Sequence, residues 1–309
     1  MNAIEIQGLT KDYSLGLFKK SVRALDHVSL TVSEGEIFGF LGPNGAGKTT
    51  TLKIMMGLNR PTSGSIFLFG QDCKNPAVRE IMGYLPEQPY FYDYLTAREF
   101  LAFYARLFGF KGSVIESKIA ALLKMVGLER ARDLPLRKFS KGMLQRIGIA
   151  QALINDPKLV VFDEPMSGLD PMGRREVRDL ILRMRREGKT VFFSSHIISD
   201  VEMICDRVAI LDKGKIRAQG RVDDLLQKKS LIREIEFSVS NPETTQLLCS
   251  LGTVITKTPG RLLISVSEDQ VDQILDVAKQ QGAKLRSLVA HKQSLEELFT
   301  EKVGGNGAQ

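Results

Sequence analysis

The chain has 309 residues, 43% of them hydrophobic and 26% charged, and carries a formal net charge of +7. That composition describes a globular protein able to bury a real core, as one large domain or two ordinary ones. Its longest apolar runs, such as Leu159 to Phe162, fall far short of the roughly 18 residues that a membrane-spanning helix needs. Cys73, Cys205 and Cys249 are odd in number and widely spaced, so they set up neither a zinc spacing nor a disulfide framework. His27, His196 and His291 are scattered in the sequence and suggest no metal site on their own. The positive charge suits nucleic acid, anionic lipid or an anionic ligand and does not choose among them.

In chain order, the N-terminal "MNAIEIQGLTKDY" has no basic start followed by an apolar block, so a cytoplasmic location is expected. "EIFGFLG" (36–42) reads as a strand leading into a glycine-rich loop and then a helix, "KTTTLKIMMGL". "SGSIFLFG" (64–70) is a second strand, and residues 97–127 read as mostly helical. Ser140 then caps a helix whose apolar face includes Leu144, Ile147, Ala150 and Leu153. The start of this helix is unusual, with Lys138 and Lys141 flanking the cap and Gly142 in the first turn, where glycine costs about 1 kcal/mol against alanine. Strand 158–164, helix 172–187, strand 190–196 and helix 198–205 follow, then a hairpin over 207–220 that turns at Lys213-Gly214. Strands alternating with helices predict an α/β sheet with helices packed on it. The basic run 174–189 reads as an amphipathic helix with a solvated face.

The pattern changes around "QKKS" (227–230). Beyond it come strand, helix, two strands about Pro259-Gly260, helix, strand and helix. This predicts a small α+β unit for which a ferredoxin-like arrangement is one solution. The expected domains are therefore residues 1–228 and 229–309, ending in a frayed "GGNGAQ" tail. The first unit is not repeated along the chain, which has one glycine-lysine loop.

"GPNGAGKTT" runs from Gly42 to Thr50 and fits G-x-x-x-x-G-K-[ST]. Its glycines let backbone N–H groups turn inward around phosphate oxygens, and the following helix N-terminus adds partial positive charge. Lys48 is expected to reach the terminal phosphates, and Thr49 to offer its hydroxyl to Mg²⁺. "KLVVFDEP" ends a hydrophobic strand on two adjacent carboxylates, Asp163 and Glu164. Asp163 suits the Mg²⁺ shell. Strand alternation sends Glu164 the other way, where it could face an attacking water as general base.

With these motifs in view, the chain resembles the nucleotide-binding subunit of an ABC transporter over roughly residues 1–225. "GPNGAGKT" matches the Walker A motif, "FSKGM" the signature, "LVVFDE" Walker B, "SGLD" (167–170) the D-loop, and His196 the switch histidine. The resemblance implies a RecA-like core with antiparallel β and helical subdomains, followed here by the small C-terminal α+β domain. It implies that Gly42, Pro43, Asn44, Gly45, Ala46, Gly47, Lys48, Thr49 and Thr50 bind ATP with Mg²⁺, and that His196 holds the γ-phosphate and attacking water beside Glu164. Tyr13 matches the ring that stacks on adenine; a strand-end or core tyrosine is the other reading. After Tyr13 comes a segment longer than many family members carry, in which Leu15, Leu17, Phe18, Lys19 and Lys20 read as a surface loop or a partner contact. Ser140, Lys141, Gly142 and Asp170 would act on the ATP held by the other protomer. That makes the unit of function a head-to-tail homodimer enclosing two ATP molecules.

Two departures from the family pattern stand out. The Q-loop position falls on Glu87, which could give an oxygen to Mg²⁺, with Gln88 next to it. The signature reads FSKGM where the family has LSGGQ, so Lys141 and Met143 are substitutions. After the Q-loop, "YFYDY" (90–94) is either the contact for the membrane subunit's coupling helix or part of the core. "LPE", "SKGM" and the C-terminal extension resemble most the exporter branch, which works through a separate permease at the cytoplasmic face of the membrane. An ABC-type ATPase acting on nucleic acid or ribosomes is the rival reading. Against it stand the single nucleotide motif set and the lack of a long coiled-coil insertion, so no specific nucleic acid is expected. A third reading makes the tail, 230–309, a regulatory ligand module.

Overall fold

A computed structural model describes residues 1–14, 21–227, 232–290 and 295–304. The segment 15–20, residues 228–231 at the expected domain boundary, His291 and the terminal tail lie outside the described residues. The chain divides into two compact units, the first covering Met1–Val222 and the second Asp223–Glu301.

The first unit opens with two long strands, β1 (Asn2–Tyr13) and β2 (Val22–Ser33). Next come β3 (Ile37–Leu41), α1 (Lys48–Met55), β4 (Ser63–Leu68), β5 (Gln71–Asp72) and β6 (Met82–Leu85). Three helices follow, α2 (Ala97–Leu107), α3 (Ser113–Met125) and α4 (Lys141–Ala152). The remainder is β7 (Leu159–Asp163), α5 (Pro171–Arg186), β8 (Thr190–Ser195), α6 (Ile198–Ile204), β9 (Arg207–Asp212) and β10 (Lys215–Arg221), and α7 (Val222–Gln227) opens the second unit apart from its first residue.

Two sheets result. One has the order β10-β9-β3-β8-β7-β6, parallel except for β10; the other is antiparallel, β2-β1-β4-β5. Every residue of β3, β7 and β8 is buried. That is why these strands read as continuous apolar runs: a parallel strand covered on both faces has no solvent side to alternate with. Phe38 stacks on Phe192 across the β3–β8 pair at 5.6 Å. The 207–220 hairpin turns where expected, with Lys213 at φ 46° and Gly214 at φ 76°, the two left-handed residues of a type I′ turn.

Four strands of the first unit escape the sequence reading: β1, β2, the two-residue β5 and β6. β1 pairs with β2 through several register shifts, and bulges of that kind interrupt the period-2 alternation of β1, whereas β2 alternates cleanly over Val28 to Ser33. β6 is only four residues long. Its Gly83 faces the Ala152 carbonyl so closely that an added Cβ would collide with backbone. We expect Gly83→Ala to lower the urea unfolding free energy by about 1–3 kcal/mol, as overpacked cores do.

The helical stretch over 97–127 is two helices. Thr96 and Glu99 form a capping box at the start of α2, and Gly109 and Gly112, both at positive φ, separate it from α3. Beyond α7 the second unit runs β11 (Ile232–Ser238), α8 (Pro242–Leu251), β12 (Thr253–Thr258), β13 (Arg261–Ser267), α9 (Val271–Gln280), β14 (Lys284–Ala290) and α10 (Leu295–Gly304). Its sheet is antiparallel in the order β12-β13-β11-β14, and its core gathers Ile235, Phe237, Leu248, Leu262, Ile264 and Ile274.

Candidate functional site

Ligands of open parallel sheets sit beyond the carboxyl ends of the strands. Here the neighbouring strands β3, β8 and β7 deliver there, in turn, the glycine loop, His196, and the pair Asp163 and Glu164. A cleft of about 250 Å³ results, lined by Ala24, Pro43, Asn44, Gly45, Gly47, Lys48, Thr49, Thr50, Glu87 and Glu164.

The loop's shape depends on glycine at particular points. Gly47 sits at φ 112°, and a Cβ there would lie 2.6 Å from the Ala24 carbonyl. A Cβ on Gly42 would collide with the Leu211 carbonyl. The loop is thus wedged against β2 and β9, and α1 starts directly behind it. Lys48 is only 5% exposed. Its ammonium donates to the carbonyls of Gly42 at 2.7 Å and Pro43 at 3.2 Å and lies 3.1 Å from Glu164 Oε1. That last contact has ion-pair distance without hydrogen-bond alignment, since Oε1 has no hydrogen-bond partner.

The two acidic residues correct the alternation argument. β7 ends at Asp163, and Glu164 takes φ 52°, a left-handed conformation that costs a non-glycine residue about 1–2 kcal/mol. The turn brings Glu164 into the same site as Asp163 instead of sending it to the opposite side. Ser194 offsets part of the strain. Its hydroxyl accepts from the Glu164 N–H at 2.9 Å and donates to Asp163 Oδ1 at 2.6 Å. Glu164 Oε2 lies 2.8 Å from His196 Nδ1. Burial pushes the Asp163 carboxyl above its ordinary pKa, while the hydroxyls of Ser194 and Thr49 and the charge of Lys48 pull it back. Its Oδ2 is buried without a partner. Tyr84 on β6 is pushed up to about 12, first by burial and then by the charge of Asp163.

Ser194 is the residue that sequence reasoning missed. The signal was there in "TVFFSSH", where two hydroxyls interrupt a buried apolar strand. Of the Q-loop pair, Glu87 lines the cleft and Gln88 does not. Tyr13 is not among the lining residues either. Its hydroxyl accepts from Asn59 Nδ2 at 3.0 Å, and Lys11 Nζ lies over its ring at 4.9 Å.

The remaining expected residues stand outside the cleft but near one another. Ser140 is exposed and caps α4, its Oγ accepting from the Met143 N–H at 3.2 Å. Asp170 is exposed and caps α5 through Gly173 N at 2.9 Å. The Lys141 ammonium lies over Gly168, at φ 67°, where any Cβ would displace it. An open space surrounds Gly142. Of the aromatics at 90–94, Phe91 packs on Phe100 at 5.4 Å, whereas Tyr90 is 81% exposed and Tyr94 66%.

A glycine-lysine loop between a buried parallel strand and a helix, facing an Asp–Glu pair on a nearby strand, defines a P-loop nucleoside triphosphatase. The comparisons narrow the class. Residues 25–167 match the ABC transporter family. An ABC transporter ATP-binding protein of Nostoc sp., all4389, is 43% identical over 96% of this chain and 88% of its own length. The bacitracin transport ATP-binding protein BcrA of Bacillus licheniformis is 36% identical over 98% and 97%. Among solved structures, the dimeric post-hydrolysis ATP-binding cassette MJ0796 bound to ADP and Pi superposes with a TM-score of 0.65 at 26% identity, over 71% of this chain and 98% of that one. CbiO1 from Clostridium perfringens, part of the ABC transporter complex cbiONQ, gives 0.65 at 28% identity, over 74% and 92%. The chain belongs to the ABC transporter ATP-binding family. It is an ATP-binding and ATP-hydrolysing subunit of an ABC transporter, a class that works with membrane permeases. Among the described residues no helix is long and apolar enough to cross a membrane.

Proposed function

We propose that this chain forms a head-to-tail homodimer that encloses two Mg²⁺-ATP and drives a separate permease of the exporter type from the cytoplasmic face of the membrane. The observation that carries this reading is a separation. Lys48, Thr49 and Glu164 line one cleft, with Asp163 hydrogen-bonded to Thr49 and His196 to Glu164, while Ser140 and Asp170 are exposed and do not line it, joined through the Lys141–Gly168 contact. A signature exposed apart from its own P-loop cleft is suited to serve another chain's.

The residues fit a magnesium ion. Asp163 Oδ2 is a buried oxygen with no partner, the Thr49 hydroxyl acts on the same carboxylate, and Glu87 lines the cleft. Among the described residues no group of three or more metal-ligating side chains occurs. That agrees with an ion held by one or two carboxylates and the nucleotide's own phosphates. When bound, Mg²⁺ would neutralise charge on the phosphate oxygens.

The chain's own residues supply the rest. The 42–50 loop cradles phosphates with backbone N–H groups, and Lys48 turns its ammonium from carbonyls to phosphate oxygen. Glu164 takes a proton from the attacking water, oriented by His196 through the 2.8 Å contact. Tyr13 stacks on adenine once its ring is released from Lys11. Ser140, Lys141 and Gly142 present a hydroxyl, an ammonium and helix N–H groups to the partner's γ-phosphate, with Asp170 reaching across beside them. Exposed Tyr90 and Tyr94 suit contact with the permease. That BcrA is a bacitracin transport ATP-binding protein supports substrate movement across a membrane as the task. The second unit, whose elements from β11 to β14 run βαββαβ before α10, is proposed as a ferredoxin-like accessory domain.

Mixing variants tests the arrangement in trans. Lys48→Ala and Ser140→Arg chains are each expected to be nearly inactive. A mixed dimer places both defects in one site and leaves the other intact, so mixing should restore ATPase activity. Cross-linked mixed dimers that show no recovery would refute the shared site.

A further inference from the structure

At the opposite end of α1 from the P-loop there is a second cavity, of about 540 Å³. Its walls include Arg60, Lys74 and Arg79 together with Thr62 and Ser63, and no Asp or Glu lines it. Arg79 is held there by specific contacts. Arg79 donates through Nε to the Met56 carbonyl at 3.1 Å. One terminal nitrogen of its guanidinium lies against Gly57, at φ 71°, where any side chain would collide with it. A cation at a helix C-terminus is favourable, which accounts for that one bond. The other nitrogens of Arg79 and the guanidinium of Arg60 meet no carboxylate among the described residues. Lys74 has only a loose pairing, 3.8 Å to Asp72. Two forked guanidinium groups without carboxylate partners, beside two hydroxyls, are the donor types that recognise tetrahedral oxyanions.

We propose that this cavity binds a phosphate dianion, either inorganic phosphate or the phosphomonoester of a small molecule or lipid headgroup, between Arg60 and Arg79. The site is distinct from the P-loop cleft and shares no lining residue with it. Its wall is tied to the end of β1. Asn59 donates to the Tyr13 hydroxyl at 3.0 Å, Lys11 donates to the Arg60 carbonyl at 2.8 Å, and the Asp12 N–H donates to Thr62 Oγ1 at 2.9 Å. Occupancy therefore acts on the strand end that carries Tyr13.

The test uses the full chain, its P-loop saturated with a non-hydrolysable ATP analogue and Mg²⁺ so that added anion cannot enter there. Inorganic phosphate and glycerol phosphate are titrated by calorimetry. In parallel, flotation compares phosphatidylcholine vesicles doped with phosphatidic acid, a phosphomonoester, against vesicles doped with phosphatidylglycerol at matched charge. Saturable binding of the soluble anions identifies a free-phosphate site; preference for phosphatidic acid alone identifies a headgroup site. In either case Arg60→Ala should weaken binding by about tenfold or more, the worth of a lost charge-assisted bond. Arg79→Lys keeps the charge at the end of α1 and should weaken binding without lowering the melting temperature. Absence of saturable binding together with no phosphatidic acid preference overturns the proposal, and so does wild-type binding by Arg60→Ala.

Discussion

Glu164→Gln is expected to bind ATP at least as well as the wild type, to lose turnover by about two to four orders of magnitude, and to accumulate as a dimer in the presence of ATP. The size of the loss is that of removing a positioned general base. The substitution keeps the side chain's length and removes its charge, so the contact with His196 Nδ1 at 2.8 Å can persist in altered form. Affinity is retained because a buried carboxylate no longer opposes the phosphates. Size-exclusion chromatography with and without ATP, alongside a phosphate-release assay, reads both effects. A variant that stays monomeric in ATP and hydrolyses at the wild-type rate would remove Glu164 from the role given to it.

Lys48→Ala should have two separable effects. The ammonium now satisfies two loop carbonyls and faces Glu164 Oε1 at 3.1 Å. Charge-assisted hydrogen bonds are worth about 1.5–3 kcal/mol each, so loss of two to phosphate would cost ATP affinity about two to four orders of magnitude. The rise in melting temperature that ATP gives the wild type should then vanish. The substitution also leaves Glu164 buried without its cation, for which about 3–5 kcal/mol is the usual destabilisation. Adding Glu164→Gln to Lys48→Ala should recover much of that stability and none of the ATP binding. If ATP still shifts the melting temperature of Lys48→Ala at ordinary concentrations, the ammonium does not hold phosphate.

Much of the α/β unit was legible because its central strands are short apolar runs buried on both faces, and because glycine, lysine and paired acids punctuate them at strand ends. The Lys213-Gly214 turn and the Ser140 cap could be read from local chemistry alone. β1 could not, since its bulged register breaks the alternation that announces a strand, while β2 does carry that alternation over Val28 to Ser33. The aromatics at 90–94 looked uniform in sequence, yet Phe91 is packed on Phe100 while Tyr90 and Tyr94 face solvent. That sorting depends on which side of the chain α2 covers.

By itself the sequence determined the chemistry of the phosphate loop, because G-x-x-x-x-G-K-T is a local device whose backbone geometry is set by its own glycines and the helix behind it. It also determined that Asp163 and Glu164 end a buried strand. Only the tertiary structure decided what the pair does together. The left-handed turn at Glu164 is sustained by Ser194, which is thirty residues further along, and by His196 and Lys48 from two other segments. Alternation is a property of one strand. The orientation of a residue at its end is set by whatever the neighbouring strands hold out to it.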